Sequence, residues 1–200
     1  MSETPAHTEL PAENTSASPA EPTPGNEDVI EGETHALEWH APVLVRIDEH
    51  TTIPHLLAKR VQRAPRRPLI ARKLEMGSTW QNMTAAEFYE DVQTTAAGLI
   101  GLGLNYGDAI AIMSRTRYEW TLLDFAAWTA GLLPVPIYET SSGEQIEYII
   151  KDADVRAIVT ETVTQRELAL DACHRLGKDD ITVLSLDAEA MQTIRDAGIT

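Results

Sequence analysis

The sequence predicts an α/β fold: a mostly parallel, doubly wound sheet with flanking helices, preceded by a disordered acidic tail. Three observations support this prediction. After Asp108, short apolar runs alternate regularly with longer segments whose apolar residues recur every three or four positions. Strands that alternate with helices in this way need crossover connections, which place the strands parallel to one another. Up to about Glu38 the chain has hardly any large apolar residue, so that part cannot build a core of its own.

The first predicted elements are a helix and a hairpin. Thr52 can cap a helix that runs from about Pro54, and Pro65 ends it. The apolar residues of this helix share one stripe: Ile53, Leu56, Leu57 and Val61. Two extended runs follow, Pro68–Lys73 and Ser78–Met83, with Gly77 at the turn between them, and they predict a hairpin.

A capping box opens the next helix. The side chains of Thr84 and Glu87 can each accept a hydrogen bond from the free backbone N–H of the other residue. The apolar residues that follow lie four, four and three positions apart and predict one buried face: Phe88, Val92, Ala96 and Leu99. Gly101 and Gly103 end this helix.

The remaining elements follow the regular alternation. Four apolar runs predict buried strands: Ala109–Met113, Leu133–Ile137, Val155–Val159 and Ile181–Leu186. Four helical segments lie after them: Tyr118–Ala130, a helix with a capping box at Ser142 and Gln145, Thr164–Leu176, and a short helix around Ala188–Arg195.

Charge and cysteine content exclude several classes of protein. The 200 residues hold 31 acids against 16 Lys and Arg, a net charge of −15, and one cysteine. A disulfide framework is therefore impossible, and binding of nucleic acid through a basic face is disfavoured. No uninterrupted apolar stretch reaches the length of a membrane-spanning helix, about 18 residues. We expect a cytoplasmic protein with at most transient membrane contact, because no basic amphipathic helix is recognised in the sequence.

Residues 1–45 form the acidic tail, with nine acids and no Lys or Arg. The segment lacks the basic start and apolar run of a secretory signal, and it lacks the Arg residues of a mitochondrial transit peptide. An interaction tail and a solubilising leader both fit the composition, and we favour the solubilising leader.

Three glycines, Gly101, Gly103 and Gly107, faintly suggest a dinucleotide-binding fingerprint. That fingerprint must follow a strand and open a helix, so that backbone amides point at the pyrophosphate. Here the glycines end a helix and precede a strand, and their spacing is GxGxxxG. We interpret them as glycines in left-handed conformations that terminate the helix.

Candidates for nucleophilic or metal chemistry are weak. Cys173 and His174 are adjacent on a predicted helix, so their side chains diverge by about 100° and cannot act as a nucleophile and its base. We expect Cys173 to be a packed thiol. The remaining histidines share no metal-ligand spacing: His7, His35, His40, His50 and His55. We therefore assign no catalytic, cofactor-binding or metal-binding residue.

Hydroxyl groups cluster at Tyr138–Ser142, directly after a predicted buried strand. The carboxyl edge of an open α/β sheet is where such proteins bind ligands. The same residue types also form turns and cap helices. A ligand site and a plain turn with a helix cap both remain open.

Several segments together resemble one family. In chain order they are a hairpin ending in Trp80, the T-x-x-E helix start, Gly107–Ser114, Arg117–Trp120, Val135–Ser142 and Gln145–Ile150. These segments are similar to the amino-terminal part of AMP-forming long-chain fatty-acyl-CoA synthetases, which belong to the adenylate-forming superfamily. The resemblance covers about Thr51 to Thr160 and fades beyond that point.

The resemblance implies an enzyme that joins a fatty acid to AMP with release of pyrophosphate and then transfers the acyl group to the thiol of CoA. It implies ATP, Mg²⁺ and CoA as cofactors of the full-length enzyme. The family's Ser/Thr/Gly-rich phosphate loop with its Lys is not found before Thr200, so we expect residues 46–200 to be an amino-terminal portion truncated before that loop. Such a portion is expected to be inactive alone and loosely packed or self-associating. Arg117, Glu119 and Trp120 match family positions, and we interpret them as scaffold.

Two alternatives remain. One is another adenylating enzyme, such as an aryl or short-chain acid ligase or a carboxylic acid reductase, because the acyl pocket of the family lies mostly beyond residue 200. The other is a non-catalytic α/β module that works by binding. Small-molecule substrates are the expected partners of the enzyme, and nucleic acid is not.

Overall fold

The computed structural model describes residues 49–73 and 79–198 and confirms the α/β class. The helices are α1 (Ile53–Arg63), α2 (Ala85–Gly101), α3 (Tyr118–Ala130), α4 (Gly143–Asp152), α5 (Val163–Arg175) and α6 (Ala188–Ala197). The strands are β1 (Pro68–Lys73), β2 (Trp80–Thr84), β3 (Ala109–Met113), β4 (Leu133–Ile137), β5 (Val155–Thr160) and β6 (Thr182–Ser185). The predicted acidic tail and the predicted hairpin turn at Gly77 lie outside the described residues.

Four strands form a parallel sheet in the order β4-β3-β5-β6. The chain therefore passes from β3 to β4 on one side of it and then to β5 on its other side. All five residues of β3 are buried, as expected for a strand with covered faces and two neighbours. The other two strands form a separate antiparallel hairpin, in which Lys73 of β1 lies opposite Trp80 of β2.

Helices cover both faces of the sheet, so the predicted doubly wound architecture is confirmed. Because side chains alternate along a strand, successive residues of β3 reach opposite faces. Ile110 and Ile112 join a core with α1, α2, α3 and α6, whereas Ala111 and Met113 join a core with α4 and α5.

Polar caps define where the helices begin. Thr52, Thr84, Ser142 and Thr162 each form a capping box with the residue three positions later. The box between Thr162 and Gln165 starts α5 at Val163, one residue before the predicted start at Thr164. The described part of β2 starts at Trp80, and the predicted start at Ser78 lies outside the described residues.

The glycines near the end of α2 have two roles. Gly103 follows the C-cap residue Leu102 and has a positive φ of 91°, which confirms the helix-ending interpretation for Gly103. Gly107 also has a positive φ, of 87°, but it lies in the turn before β3, so ending α2 is not its role. Gly101 is the last residue of α2, and a Cβ there would lie 2.0 Å from the carbonyl oxygen of Ala197. A Cβ on Gly98 would lie 1.9 Å from the carbonyl oxygen of Ile194. These two glycines let the backbone of α6 approach α2, a role that helix termination does not predict.

The structure corrects the expectation that the chain has no basic amphipathic helix. In α1, Leu57 is buried, and Arg60 and Arg63 lie in the last turn. The predicted apolar stripe of this helix is only partly buried, since Ile53 and Leu56 are 43% and 55% exposed. The exposed side of α1 therefore carries both cations and large apolar side chains. Within the described ranges, no helix is long and apolar enough to cross a membrane.

Candidate functional site at the strand ends

The carboxyl ends of β3 and β5 form a crevice. The chain leaves β3 into α3, which packs on one face of the sheet, and leaves β5 into α5, which packs on the other face. Neighbouring strands whose connections diverge in this way mark a topological switch point, where open α/β sheets bind ligands. The residues that follow the two strands, 114–117 and 161–162, therefore form the candidate site.

Glu161 is the centre of this crevice, and its side chain is 6% exposed. The carboxylate accepts hydrogen bonds from the backbone N–H of Arg115 at 2.9 Å, from Arg115 Nη2 at 2.8 Å and from Ser114 Oγ at 3.2 Å. Arg117 Nη1 lies 3.4 Å from the same carboxylate. The hydrogen bond from the Arg115 guanidinium is the largest of the effects that hold the pKa of Glu161 at about 2, against the opposing effect of burial.

A buried amide ties the strand-end loops together. Gln165 Oε1 accepts hydrogen bonds from the backbone N–H groups of Glu161 at 3.0 Å and Thr162 at 3.1 Å. Its Nε2 donates to the carbonyl oxygen of Glu139, after β4, at 3.5 Å. Arg115 also lies 3.8 Å from the Glu139 carboxylate. The loops after β3, β4 and β5 are thus linked through a few polar side chains.

The residues predicted from the family resemblance lie beside this cluster. Arg117 is the N-cap residue of α3, and its guanidinium pairs with Glu119 as well as with Glu161. Trp120 lines a cavity of about 360 Å³ together with Tyr138 and other residues at the ends of β3 and β4. The interpretation of these residues as scaffold stays a prediction.

The hydroxyl cluster after β4 divides into two parts. Ser142 caps α4, since its Oγ accepts from the Gln145 N–H at 3.3 Å, and Ser141 closes a turn onto the Tyr138 carbonyl oxygen at 3.0 Å. The Tyr138 side chain is 85% exposed and, with Glu139, lines the cavity of about 360 Å³. The turn and cap account for the serines, whereas Tyr138 remains open to a ligand.

A larger cavity, of about 690 Å³, lies between the hairpin and the strand ends. The hairpin contributes Arg72, Lys73 and Trp80 to its lining, and the strand ends contribute Arg115, Arg117, Glu119 and Glu161. The Arg72 guanidinium carbon lies 5.5 Å from the ring centroid of Tyr118, and Arg72 Nε donates to Gln81 at 2.8 Å. The cavity is therefore rich in cations, but those of the strand ends are already paired with carboxylates.

Tyr118 connects the cavity wall to the core. Its hydroxyl donates a hydrogen bond to Asp91 on α2, and its ring packs edge-on against Phe88. Burial, followed by the bond to Asp91, raises the pKa of Tyr118 far above its usual value near 10. Tyr118 therefore stays neutral at ordinary pH and acts as a hydrogen-bond donor.

The sequence candidates for nucleophilic chemistry do not come together. Cys173 is buried, and burial raises the pKa of its thiol. His174 lies on the exposed side of the same helix, and its Nδ1 is 3.2 Å from Asp179, which belongs to the turn after α5. Cys173 is thus a packed thiol, as predicted.

The residues that the structure describes do not fit a Mg²⁺ ion. No group of three or more His, Cys, Asp or Glu side chains that could hold a metal occurs in residues 49–73 and 79–198. The acids at the strand ends, Glu139 and Glu161, both face Arg115. The described strand ends therefore hold an ion-pair network around Glu161, which the amide of Gln165 supports with hydrogen bonds. Sequence reasoning missed both Glu161 and Gln165. The spacing of Gln165 from Thr162, a capping box, was the signal that could have identified the second.

Known proteins resemble this chain in sequence. Residues 57–198 match the family model described as AMP-binding enzyme. The long-chain-fatty-acid–CoA ligase FadD15 of Mycobacterium bovis is 34% identical over 125 residues, which are 62% of this chain and 20% of that protein. The long-chain-fatty-acid–CoA ligase ACSBG2 of Rattus norvegicus is 29% identical over 160 residues, 76% of this chain and 22% of that protein. The chain thus spans about a fifth of the length of these relatives.

Solved structures share the fold. The crystal structure of VinN is similar with a TM-score of 0.61 and 23% identity, over 74% of this chain and 35% of that one. The adenylation domain of a carboxylate reductase from Mycobacterium chelonae is similar with a TM-score of 0.59 and 19% identity, over 76% of this chain and 26% of that one. Because the family model matches most of the chain, the chain belongs to the adenylate-forming family of AMP-binding enzymes.

Proposed function

We propose that residues 46–200 are the amino-terminal portion of a long-chain fatty acid–CoA ligase of the AMP-forming type, preceded by the acidic segment 1–45. The longer enzyme joins a fatty acid carboxylate to the α-phosphorus of ATP, which forms acyl-AMP and releases pyrophosphate. The thiol of CoA then attacks the acyl carbon, AMP leaves and a thioester forms. The observation that supports this proposal most is the 34% identity to a long-chain ligase over 125 residues.

The proposed role of this portion is to position other parts of the enzyme. Its strand-end cluster is an ion-pair network, and Glu161, with a pKa of about 2, is a poor proton acceptor. ATP, Mg²⁺ and CoA are therefore proposed to bind through residues of the longer protein, where Mg²⁺ would offset the charge that develops on the phosphates. The 200-residue chain alone is proposed to be inactive.

The decisive experiment begins with the reading frame downstream of codon 200. The product of that frame and the 200-residue chain are purified in parallel, and ATP–pyrophosphate exchange is measured with palmitate. We expect exchange from the longer product and none above background from the chain alone. Exchange by the 200-residue chain, or a native product that ends near 22.0 kDa, contradicts the proposal.

A second candidate is a ligase or reductase for another carboxylic acid. This candidate is included because the chain shares its fold with the adenylation domain of a carboxylate reductase. At 19% identity, that similarity concerns the fold alone. A panel of butyrate, benzoate and palmitate, assayed on the longer product, separates the two. Exchange that is fastest with palmitate supports the long-chain ligase, whereas a preference for benzoate or butyrate supports the second candidate.

A further inference from the structure

The cations of the chain are strongly segregated. Residues 50–74 contain seven Lys and Arg and no acid, whereas the rest of the chain holds nine Lys and Arg against all 31 acids. On a protein with a net charge of −15, such a segment is an isolated patch of positive charge. The charge patterning therefore points to this segment as a contact surface for an anionic partner.

The structure places five of these cations on α1 and the turn after it. We call this set, with two apolar neighbours, the basic surface: Lys59, Arg60, Arg63, Arg66 and Arg67, with Ile53 and Leu56. Leu56, Lys59 and Arg63 are three and four residues apart and share one exposed stripe of the helix. Among the described residues, none of the five cations forms an ion pair.

The turn that carries Arg66 and Arg67 is held in place by backbone hydrogen bonds. The N–H of Ala85 donates to the carbonyl oxygen of Arg67 at 3.0 Å, and the N–H of Ala86 donates to that of Pro65 at 3.0 Å. Both bonds attach the turn to the first residues of α2. The two exposed arginines are therefore presented on a fixed backbone next to α1.

The mixture of side chains decides the chemistry of the partner. Clustered cations attract any polyanion, but a nucleic acid backbone offers nothing to Leu56, which is 55% exposed, or to Ile53, which is 43% exposed. At a lipid surface, cations contact anionic headgroups while neighbouring apolar side chains enter the boundary with the acyl chains. We propose that the basic surface docks the protein reversibly on a membrane that contains anionic lipids.

Vesicle flotation with the full 200-residue chain tests this proposal. We expect binding to vesicles of equal parts phosphatidylserine and phosphatidylcholine, loss of that binding as salt rises, and no binding to pure phosphatidylcholine. In the variant Lys59→Gln/Arg63→Gln, binding should weaken about 25-fold, because each cation near an anionic surface contributes about fivefold. The matched control, Lys151→Gln/Arg166→Gln, removes the same charge from exposed positions on α4 and α5 and should bind like the wild type.

A third variant separates apolar insertion from charge attraction. Leu56→Ser should weaken vesicle binding while leaving its salt dependence unchanged, and circular dichroism verifies that each variant is folded. Equal binding by the two double variants overturns the proposal, as does a lack of binding to the anionic vesicles. If the chain bound duplex DNA as tightly as the vesicles, and Leu56→Ser weakened neither interaction, the surface would be assigned to nucleic acid instead. The test uses no ligase assay, so its result is independent of the proposed function.

Discussion

Replacing Glu161 by Gln removes the carboxylate that links the loops after β3 and β5. The carboxylate accepts hydrogen bonds from Ser114 Oγ and from the backbone N–H, Nε and Nη2 of Arg115, and Arg117 Nη1 lies 3.4 Å away. A glutamine keeps the size of the side chain but loses the charge, and its amide cannot accept from all of these donors. The variant Glu161→Gln should therefore fold with a weaker strand-end cluster.

The magnitude follows from the pKa of Glu161. Lowering a pKa from 4.5 to about 2 corresponds to about 3 kcal/mol in favour of the ionised form, since each pKa unit is worth about 1.4 kcal/mol. The side chain of Arg115 is 70% exposed, so solvent screens part of this interaction. We expect Glu161→Gln to lower the free energy of unfolding at pH 7 by about 1–2 kcal/mol.

The pH dependence has a definite sign. Because the pKa of Glu161 is lower in the folded state than in the unfolded state, its stabilising contribution is complete above about pH 4.5 and is lost as pH falls toward 2. The free energy of unfolding should therefore fall more steeply between pH 4.5 and pH 2 in the wild type than in Glu161→Gln. The difference between the two proteins should shrink across that window.

Urea unfolding followed by tryptophan fluorescence at several pH values measures both effects. The matched control is Glu139→Gln, which removes the same charge 3.8 Å from the same Arg115 but at a side chain that is 43% exposed. That control should lose less than about 0.5 kcal/mol, as an exposed ion pair does. Equal losses in the two variants, or parallel pH profiles for wild type and Glu161→Gln, would refute the central role of Glu161.

Three further predictions concern packing and titration. Gly98→Ala should lower the free energy of unfolding, measured in urea, by about 1–3 kcal/mol, since a Cβ there meets the backbone of α6. The control Gly143→Ala should cost less, because its Cβ meets only the side chains of Arg175 at 3.1 Å and Leu168 at 3.9 Å; similar losses in the two variants would contradict this. Tyr118→Phe should leave the tyrosinate absorbance that develops between pH 9 and pH 11 unchanged, because the pKa of Tyr118 lies above that range. If the variant lost about a fifth of the signal from the five tyrosines, the burial of the Tyr118 hydroxyl against Asp91 would be contradicted. Cys173 should react with a thiol reagent at pH 8 only after unfolding in urea, and prompt reaction of the native chain would show that the thiol is accessible.

Local patterns were sufficient to predict the order of the elements. The capping boxes at Thr84 and Ser142 fixed two helix starts, and the apolar run Ala109–Met113 identified the central strand, because both signals depend on neighbouring residues alone. The close approach of α6 to Gly98 could not be predicted, since it joins residues about a hundred positions apart. The exposure of Leu56 was missed for a similar reason: a helical stripe does not tell which of its members the neighbouring helices cover.

The candidate site was harder to predict than the fold. The hydroxyls of Tyr138–Ser142 were visible because they are adjacent in the sequence, but the carboxylate at the centre, Glu161, lies 46 residues after Arg115. Only the sheet order, with β5 beside β3, brings these two together. A polar residue that follows a strand can be assigned to a site only when the adjacent strand in the sheet is known. A single sequence does not show which strands are adjacent.

The charges at the crevice limit what a ligand could do there. Arg115 and Arg117 are paired with Glu161, so an anion that binds them must compete with a carboxylate that already holds several donors. Lys73 and the exposed ring of Trp80 lie across the cavity of about 690 Å³, on the hairpin. On the proposed function, the ion-pair network serves to hold three loops at fixed positions, and the groups that act on ATP and the acyl chain approach it from the longer protein.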